Sequence, residues 1–517
     1  MSPLDTGVAR LDLRLVPAGL TSWAVTAAGI LWQVGGSVLA VAVAVAATAA
    51  VGRWGSGRRE SGADVGAVAT AVVAVAVVGA GFAVAVGLRV GEVRHHPIVE
   101  RYGTVATVVV TPTETPRSLG GSRMMFRGSL QRIGEREISG RVVVFTRAVE
   151  FAELTAGRPA SFRARIGRPT RRDLTVAVLS ATGEPKLGEA APIDRLAHEI
   201  RTGFADAARA ALPADQAAML SALVLGDTST LTAQTSEEFR VAGLTHLTAV
   251  SGANVTIVCG AVLMTAALLG PRLAVALAAL ALVAFVIVVQ PSASVLRAAV
   301  MGAITLLAVI SHRRRQAIPV LSASVIMLLI AAPELAVDVG FALSVSATAA
   351  LVVIAPVWSR RLVGRGWPKP LADAMSVAVA AQLVTAPLVA GMSGTFSVVS
   401  VVANLAVAAV IPPITVVGTV AAALCPLWPS GAQLLIRFTG PELWLLLRVA
   451  RWAAGVPGAS VRVPSGLLGV VCVAAVGIVA VLSWRWRWVR IATGLAALCL
   501  LAWTVSGLSG GHDTIVE

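Results

Sequence analysis

The sequence is short of the side chains that water-soluble enzymes use. Asp, Glu, Lys and Arg make up only 13% of 517 residues, about half the usual share of a soluble globular protein. It has six histidines and four cysteines. His95 and His96 are adjacent, but no carboxylate or cysteine cluster joins them, so no metal centre is expected. Cys259, Cys425, Cys472 and Cys499 all lie in apolar stretches, without ligand or disulfide spacing, and read as packing residues. The GxxxxGK[ST] pattern is missing, which excludes ATP hydrolysis through a P-loop. No grouping suggests a Ser-His-Asp triad. The expectation is therefore a protein that is not an enzyme and needs no cofactor. A cleavable signal-peptide pattern is also missing, so the first apolar segment is expected to stay as an anchor.

What is abundant is apolar. Hydrophobic residues make up 56% of the chain, and mean hydropathy is +0.82. Many apolar runs reach the ~18–20 residues that cross a bilayer as a helix. The predicted fold class is a polytopic α-helical membrane protein in the lipid bilayer. Spans are expected at 16–32, 36–51 and 65–90, with the first two broken at Gln33, Gly35 and Gly36. Further spans are expected at 246–269, 273–290, 294–311, 317–332, 340–357, 372–390 and 398–424, then at 434–455, 466–483 and 490–506. The net charge of +15 does not by itself indicate nucleic acid, because Lys and Arg mark cytoplasmic loops. Such markers stand at Arg53–Arg59, His312–Arg315, Arg360–Lys369 and Arg485–Arg490, the last interleaved with Trp484, Trp486 and Trp488. Together they put 91–245 and the tail Ser506–Glu517 outside.

Residues 91–190 differ in character. Turn signals at Thr111-Pro112, Thr115-Pro116, Gly120-Gly121 and Gly157-Arg158-Pro159 separate five strand candidates. These are Thr104–Val110, Arg123–Gln131, Arg141–Ala148, Ala160–Ile166 and Leu174–Ser180. Five short strands in so few residues predict a small extracytoplasmic β-barrel of the OB type. The segment holds 16 Lys and Arg against 10 Asp and Glu. Arg158, Arg163, Arg165, Arg168, Arg171 and Arg172 form a run without an acid. Such a strip fits a phosphate backbone, with Tyr102, Phe126, Phe145 and Phe162 as stacking faces. A solvated basic surface around an aromatic barrel core fits the composition as well. Residues 191–245 read as linking or interfacial helices, with Leu196, Ile200 and Phe204 on one line and short helices either side of Leu225–Thr230.

Polar residues then recur at membrane depth. In Gly243–Val255, the spacing of His246, Val250, Ser251 and Asn254 puts them on one side of a helix. Two readings fit: hydrogen bonding between helices, with Gly252 allowing close packing, or a pore lining. Arg297 needs a carboxylate, carbonyls or an aqueous cavity, unless it snorkels to the surface. Asp338 falls at about the same level and is one candidate partner. Gln382 and Asn404 read either as helix–helix bonds or as cavity lining. Pro387 and Pro412 leave backbone carbonyls that can line such a cavity.

Several of these residues stand in a recognisable set. Leu223–Asp227, Phe239–Gly252, Pro291–Ala298, Asp338–Ser344, Ala381–Pro387 and Phe396–Leu405 resemble, in order and spacing, the competence domain of the ComEC family. The N-terminal layout of spans and a small outside β-domain is similar too. The resemblance implies an inner-membrane, multi-pass channel that admits single-stranded DNA during natural transformation. It implies DNA contact by residues 158–172, a channel domain at 246–425 and C-terminal helices at 426–517. By motif position, it implies His246, Ser251, Gly252, Arg297, Asp338, Gln382 and Asn404 as channel residues, none of them catalytic; Asn254 joins this set as a polar residue of the same stretch, not by the resemblance.

Three departures qualify the match. Asn254 stands where a second His is common, and Ala342 replaces a polar residue in the acidic motif. Many members carry a C-terminal metallo-β-lactamase-like domain, whereas here twelve residues follow Val505. If a strand-degrading nuclease is needed, it is expected to be another protein; a DNA receptor and a cytoplasmic motor or trapping protein are further expected partners. The competing expectations are a transporter or flippase for another solute, and a non-transporting envelope scaffold.

Overall fold

The chain turns back on itself at its first polar break. Helix α1 (Val16–Ser56) is interrupted at Gln33, whose φ of 66° and ψ of −160° are not helical. Its two halves then lie side by side: a Cβ on Gly29 would come within 2.5 Å of Ser37 Oγ. The break falls at Gln33, where the sequence suggested one, and the second half counts among the shorter apolar helices as Gly35–Ala50. Helix α2 (Gly62–Arg94) packs against both halves, with Gly79 closely approached by Thr21 and by Val41. The computed structural model describes residues 12–56, 62–120, 122–248, 250, 252–290, 293–310 and 317–483. Ser251, the basic markers at 312–315 and 485–490, Cys499 and the span expected at 490–506 lie outside the described residues.

The β-domain follows. Its strands are β1 (Val105–Pro112), β2 (Arg117–Gly120), β3 (Arg123–Ile133), β4 (Arg136–Arg147), β5 (Ala160–Gly167) and β6 (Ala177–Leu187). The order β1-β5-β6-β4-β3, with β1 also paired to β3, closes a five-stranded barrel. All these pairings are antiparallel except β4–β6, and β2 is an added strand on β3. This is OB-type topology. Alternation builds the core: along β5, Phe162, Ala164 and Ile166 point in while Arg163 and Arg165 point out. Phe151 meets Phe162 edge-on at 5.3 Å. The last strand starts at Ala177, not at Leu174 as expected. Leu174 has φ 63°, which turns the chain before the ladder can form.

Helices fill the rest of the chain. They are α3 (Pro192–Ala211), α4 (Ala214–Leu225), α5 (Ala233–Val241), α6 (Gly252–Thr265), α7 (Pro271–Val289), α8 (Ala293–Ile310), α9 (Ala317–Ala331), α10 (Val339–Val353), α11 (Ala355–Val363) and α12 (Lys369–Ser393). After them come β7 (Thr395–Ser397), α13 (Ser400–Val407), α14 (Ile411–Leu424), α15 (Pro429–Phe438), α16 (Gly440–Gly455), β8 (Ser460–Arg462) and α17 (Leu467–Ser483). Among the described residues five helices are long and apolar enough to cross a bilayer: Ala69–Arg101, Gly252–Leu269, Pro271–Val289, Val339–Val363 and Lys369–Ser393. The expected spans at 294–311, 317–332 and 466–483 coincide with shorter apolar helices. The stretch 434–455 is not one span but parts of α15 and α16, which meet at Thr439 and Gly440.

Two units make up the chain. One comprises Met1–Leu231, His246–Val352 and Val410–Trp444; the other comprises Thr232–Thr245, Val353–Ala409 and Leu445–Glu517. In the first, the barrel is fastened to the helices. Arg172 donates to Leu31 O, and Thr115 Oγ1 donates to Gln290 Oε1 at 2.6 Å. In the second, α17 packs on α12, where the backbone of Gly466 comes close to Gly391. There β7 and β8 form an antiparallel pair.

Candidate functional site

Arg297 is the centre of the first unit's polar groups. It sits on α8, is only 5% exposed, and lies among apolar residues such as Val295 and Ala298. Burying a guanidinium at membrane depth costs about 2.5–3.5 kcal/mol or more unless partners compensate. Helix α10 supplies two of them. Arg297 Nε donates to Ser344 Oγ at 2.7 Å, and Nη1 donates to Thr348 Oγ1 at 2.8 Å. The thioether of Met301, one turn along α8, lies 3.2 Å from Nη1. Thr348 spends its own proton on Ser344 O at 2.9 Å, so its oxygen faces the guanidinium as an acceptor. Every one of these partners is neutral. Among the described residues Arg297 forms no ion pair.

Gly252 explains how a third helix reaches this group. A Cβ there would lie 2.8 Å from Arg297 Nη2 and 3.3 Å from Ala298 Cβ. Glycine lets the start of α6 approach the guanidinium this closely without displacing it from Ser344 and Thr348. Asn254, two residues on, is buried and donates to Leu223 O at 2.9 Å. That carbonyl lies in the last turn of α4, so Asn254 ties α6 to α4.

Two expectations need correction here. Asp338 is not the partner of Arg297. It precedes α10, where Oδ1 accepts from Phe341 N at 2.8 Å, and Oδ2 lies 4.0 Å from Arg127 Nη1 on the barrel. His246 and Asn254 do not share a helix face. His246 is exposed in the 3-10 turn Thr245–Leu247, and α6 begins only at Gly252.

The second unit holds Gln382 and Asn404, joined through Ser400. Ser400 Oγ donates to Gln382 Oε1 at 2.9 Å, and Asn404 Nδ2 donates to Ser400 O at 2.8 Å. Ser397 Oγ donates to Val241 O at 2.7 Å, and Arg240 Nη1 donates to Thr395 Oγ1 at 2.9 Å. Gly243, at φ 72°, allows the approach of Ser400, whose Oγ would be 2.5 Å from an added Cβ. Each of the two amides bonds to Ser400, and Gln382 also donates to the backbone of Ser397.

On the barrel, the six arginines fall into groups. Arg163 and Arg165 stand on the outward face of β5, opposite Thr107 and Val105 of β1 and opposite Thr182 and Ser180 of β6. Arg168 lies 5.8 Å from the Tyr102 ring centroid, and Tyr102 donates its hydroxyl to Val176 O at 2.7 Å. Burial raises the Tyr102 phenol above its ordinary pKa, and Arg168 opposes this. A shallow cavity of about 420 Å³ is lined by Tyr102, Arg165, Arg168 and Ser180. Arg171 is exposed. Arg158 and Arg172 serve the fold, donating to Gly188 O and Leu31 O. Of the aromatic candidates, Phe126 and Phe162 are in the barrel core and cannot stack on a ligand. Tyr102 and Phe145 keep part of their surface exposed.

Ser344, Thr348 and Ser400 were not among the expected site residues. Their signal was faint: Ser344 and Thr348 recur at i, i+4 in an apolar helix, a pattern that usually serves only the helix's own carbonyls. Among the described residues no group of three or more His, Cys, Asp or Glu could hold a metal ion.

The family model described as Competence protein matches residues 223–488, more than half of the chain. The chain belongs to the competence protein family. No curated protein and no solved structure matches it. The match covers α6, α8, α10, α12 and α13, and so includes Gly252, Arg297, Asp338, Gln382 and Asn404. This competence protein is a multi-pass membrane protein with a role in DNA uptake.

Proposed function

We propose that this competence protein is a channel that admits single-stranded DNA across the cytoplasmic membrane. The observation that carries the reading is Arg297. A buried cation whose partners among the described residues are hydroxyls and a thioether retains a net attraction for anions, and a polynucleotide presents one at every phosphate. On this reading the barrel lies outside the cell. Arg163, Arg165, Arg168 and Arg171 gather the strand there, and Tyr102 offers a stacking surface. On the same reading a separate motor or trapping protein supplies the driving force.

The test is uptake of labelled DNA in cells carrying the wild type, a deletion, Arg297→Lys or Arg297→Gln, at matched protein levels. The expected order is wild type above Lys, with Gln and the deletion at background. Normal uptake in the deletion strain would overturn the proposal. A small anionic solute transported in place of DNA would favour the transporter reading, since the same cationic site suits it.

A further inference from the structure

In barrels of this topology the second and third barrel strands form the usual oligonucleotide face. Here those strands are β3 and β4, and two of their outward arginines, Arg127 and Arg141, are paired with carboxylates from the helical part of the same unit. Arg127 and Arg141 lie on adjoining rungs: Arg127 is opposite Val143, and Arg141 is opposite Ser129. Arg127 Nη1 is 4.0 Å from Asp338 Oδ2, and Arg141 forms an ion pair with Glu334. Both carboxylates belong to the 3-10 turn Pro333–Val337 and the residue that follows it. Trp23 of α1 braces the same turn, donating Nε1–H to Ala336 O at 2.8 Å.

The arginine side chains are 40% and 46% exposed, against 26% and 20% for Asp338 and Glu334. An added anion can therefore reach each guanidinium from solvent and compete for it. Asp338 also has a second role. While Oδ2 faces Arg127, Oδ1 caps α10 through Phe341 N. The next two turns of α10 carry Ser344 and Thr348, which hold Arg297. One helix is thus tethered to the barrel at its start and grips the buried cation further along.

We propose that α10 couples the barrel to Arg297. A polyanion on Arg127 and Arg141 displaces Asp338 and Glu334, loosens the first turn of α10 and relaxes the Ser344–Arg297 bond. The buried guanidinium then becomes available to the arriving strand. This rests on single-stranded DNA being the substrate. Asp338 acts here as a positioning residue, through α10.

The test uses the full chain in lipid nanodiscs and a fluorescent single-stranded oligonucleotide. Anisotropy reports binding, and hydrogen exchange reports the α10 amides at 339–344. In the wild type, bound oligonucleotide is expected to raise exchange there about two- to five-fold, the scale of losing a partly exposed ion pair. Asp338→Asn keeps an oxygen for the cap but loses the charge. It should show the raised exchange without oligonucleotide and no further response. Arg127→Gln breaks the same pair from the barrel side and should behave alike. Oligonucleotide that binds the wild type without changing α10 exchange would overturn the coupling alone. Asp338→Asn and Arg127→Gln exchanging like the wild type would do the same. No binding at all would overturn the DNA reading and the coupling with it.

Discussion

Gly252→Ala puts the geometry of the buried cation to a direct test. The added methyl would lie 2.8 Å from Arg297 Nη2 and 3.3 Å from Ala298 Cβ. Two outcomes are open to the protein. Helix α6 can back away, which is overpacking and costs about 1–3 kcal/mol. Otherwise the guanidinium can swing aside, straining its bonds to Ser344 and Thr348, each worth about 1.5–3 kcal/mol as a hydrogen bond to a charged group. Either way the expected destabilisation is about 1–3 kcal/mol. In an Arg297→Lys background the closer contact is gone and the one to Ala298 remains, so Gly252→Ala should then cost about 1 kcal/mol less than in the wild type. The assay is equilibrium unfolding in detergent, followed through the 12 tryptophans, for the wild type, both single variants and the double variant. A coupling of about 1 kcal/mol or more supports the close approach of α6 to Arg297. Additive effects would refute it, because residues that do not touch fail to couple at that level.

Three further outcomes are expected. Changing Arg163, Arg165 and Arg168 together to Gln should weaken oligonucleotide binding by the full chain. It should also flatten the dependence of log K on log salt by about two, at roughly 0.7 for each phosphate no longer neutralised, measured by anisotropy across salt concentrations. An unchanged slope would remove this face from the DNA path. Gln33→Gly should stabilise the protein by about 1 kcal/mol or more in the same unfolding assay, since φ 66° with ψ −160° is a region that glycine alone tolerates well. Asn254→Leu should cost about 1–3 kcal/mol, because Leu223 O in the last turn of α4 is left without its donor. A neutral result would show that the carbonyl finds another partner.

Local pattern was enough for much of the fold. Each barrel strand has period-two alternation, so the number of strands and their approximate bounds are legible in the sequence. The same alternation could have decided the aromatic question. Phe162 neighbours the outward Arg163, which fixes its ring inside. The break at Gln33 was legible because Gly35 and Gly36 weaken the helix beside it. The site was less legible, since its bonds link distant parts of the chain. The spacing of His246 and Asn254 assumed one continuous helix, but α6 starts only at Gly252, where a long-range approach to Arg297 demands glycine. Charge complementarity alone points Arg297 to Asp338. The hydroxyls that hold it lie about two and three turns beyond that residue on α10. No composition rule separates them from hydroxyls that serve only their own helix.

Comparison among the arginines argues that Arg297 is more than a packing element. Arg201 is also buried, at 8% exposure, but Nη1 donates to Leu225 O and Val288 O in the final turns of α4 and α7. Those carbonyls are the negative ends of two helices, so the cation is answered by partial charge already in the fold. Arg240 pairs with Glu237 through Nε–Oε2 at 2.7 Å. Arg141 is pushed below the ordinary arginine range by burial and then by Arg127, and is held by Glu334. Each of these three arginines thus meets a carboxylate or a helix end. Arg297, the most buried of the four, meets Ser344, Thr348 and Met301 instead. If stability alone were at stake, an apolar side chain of similar volume would serve this position as well or better. On the proposed channel reading, a cation held by neutral acceptors suits an anion that arrives and leaves, which a resident carboxylate would repel.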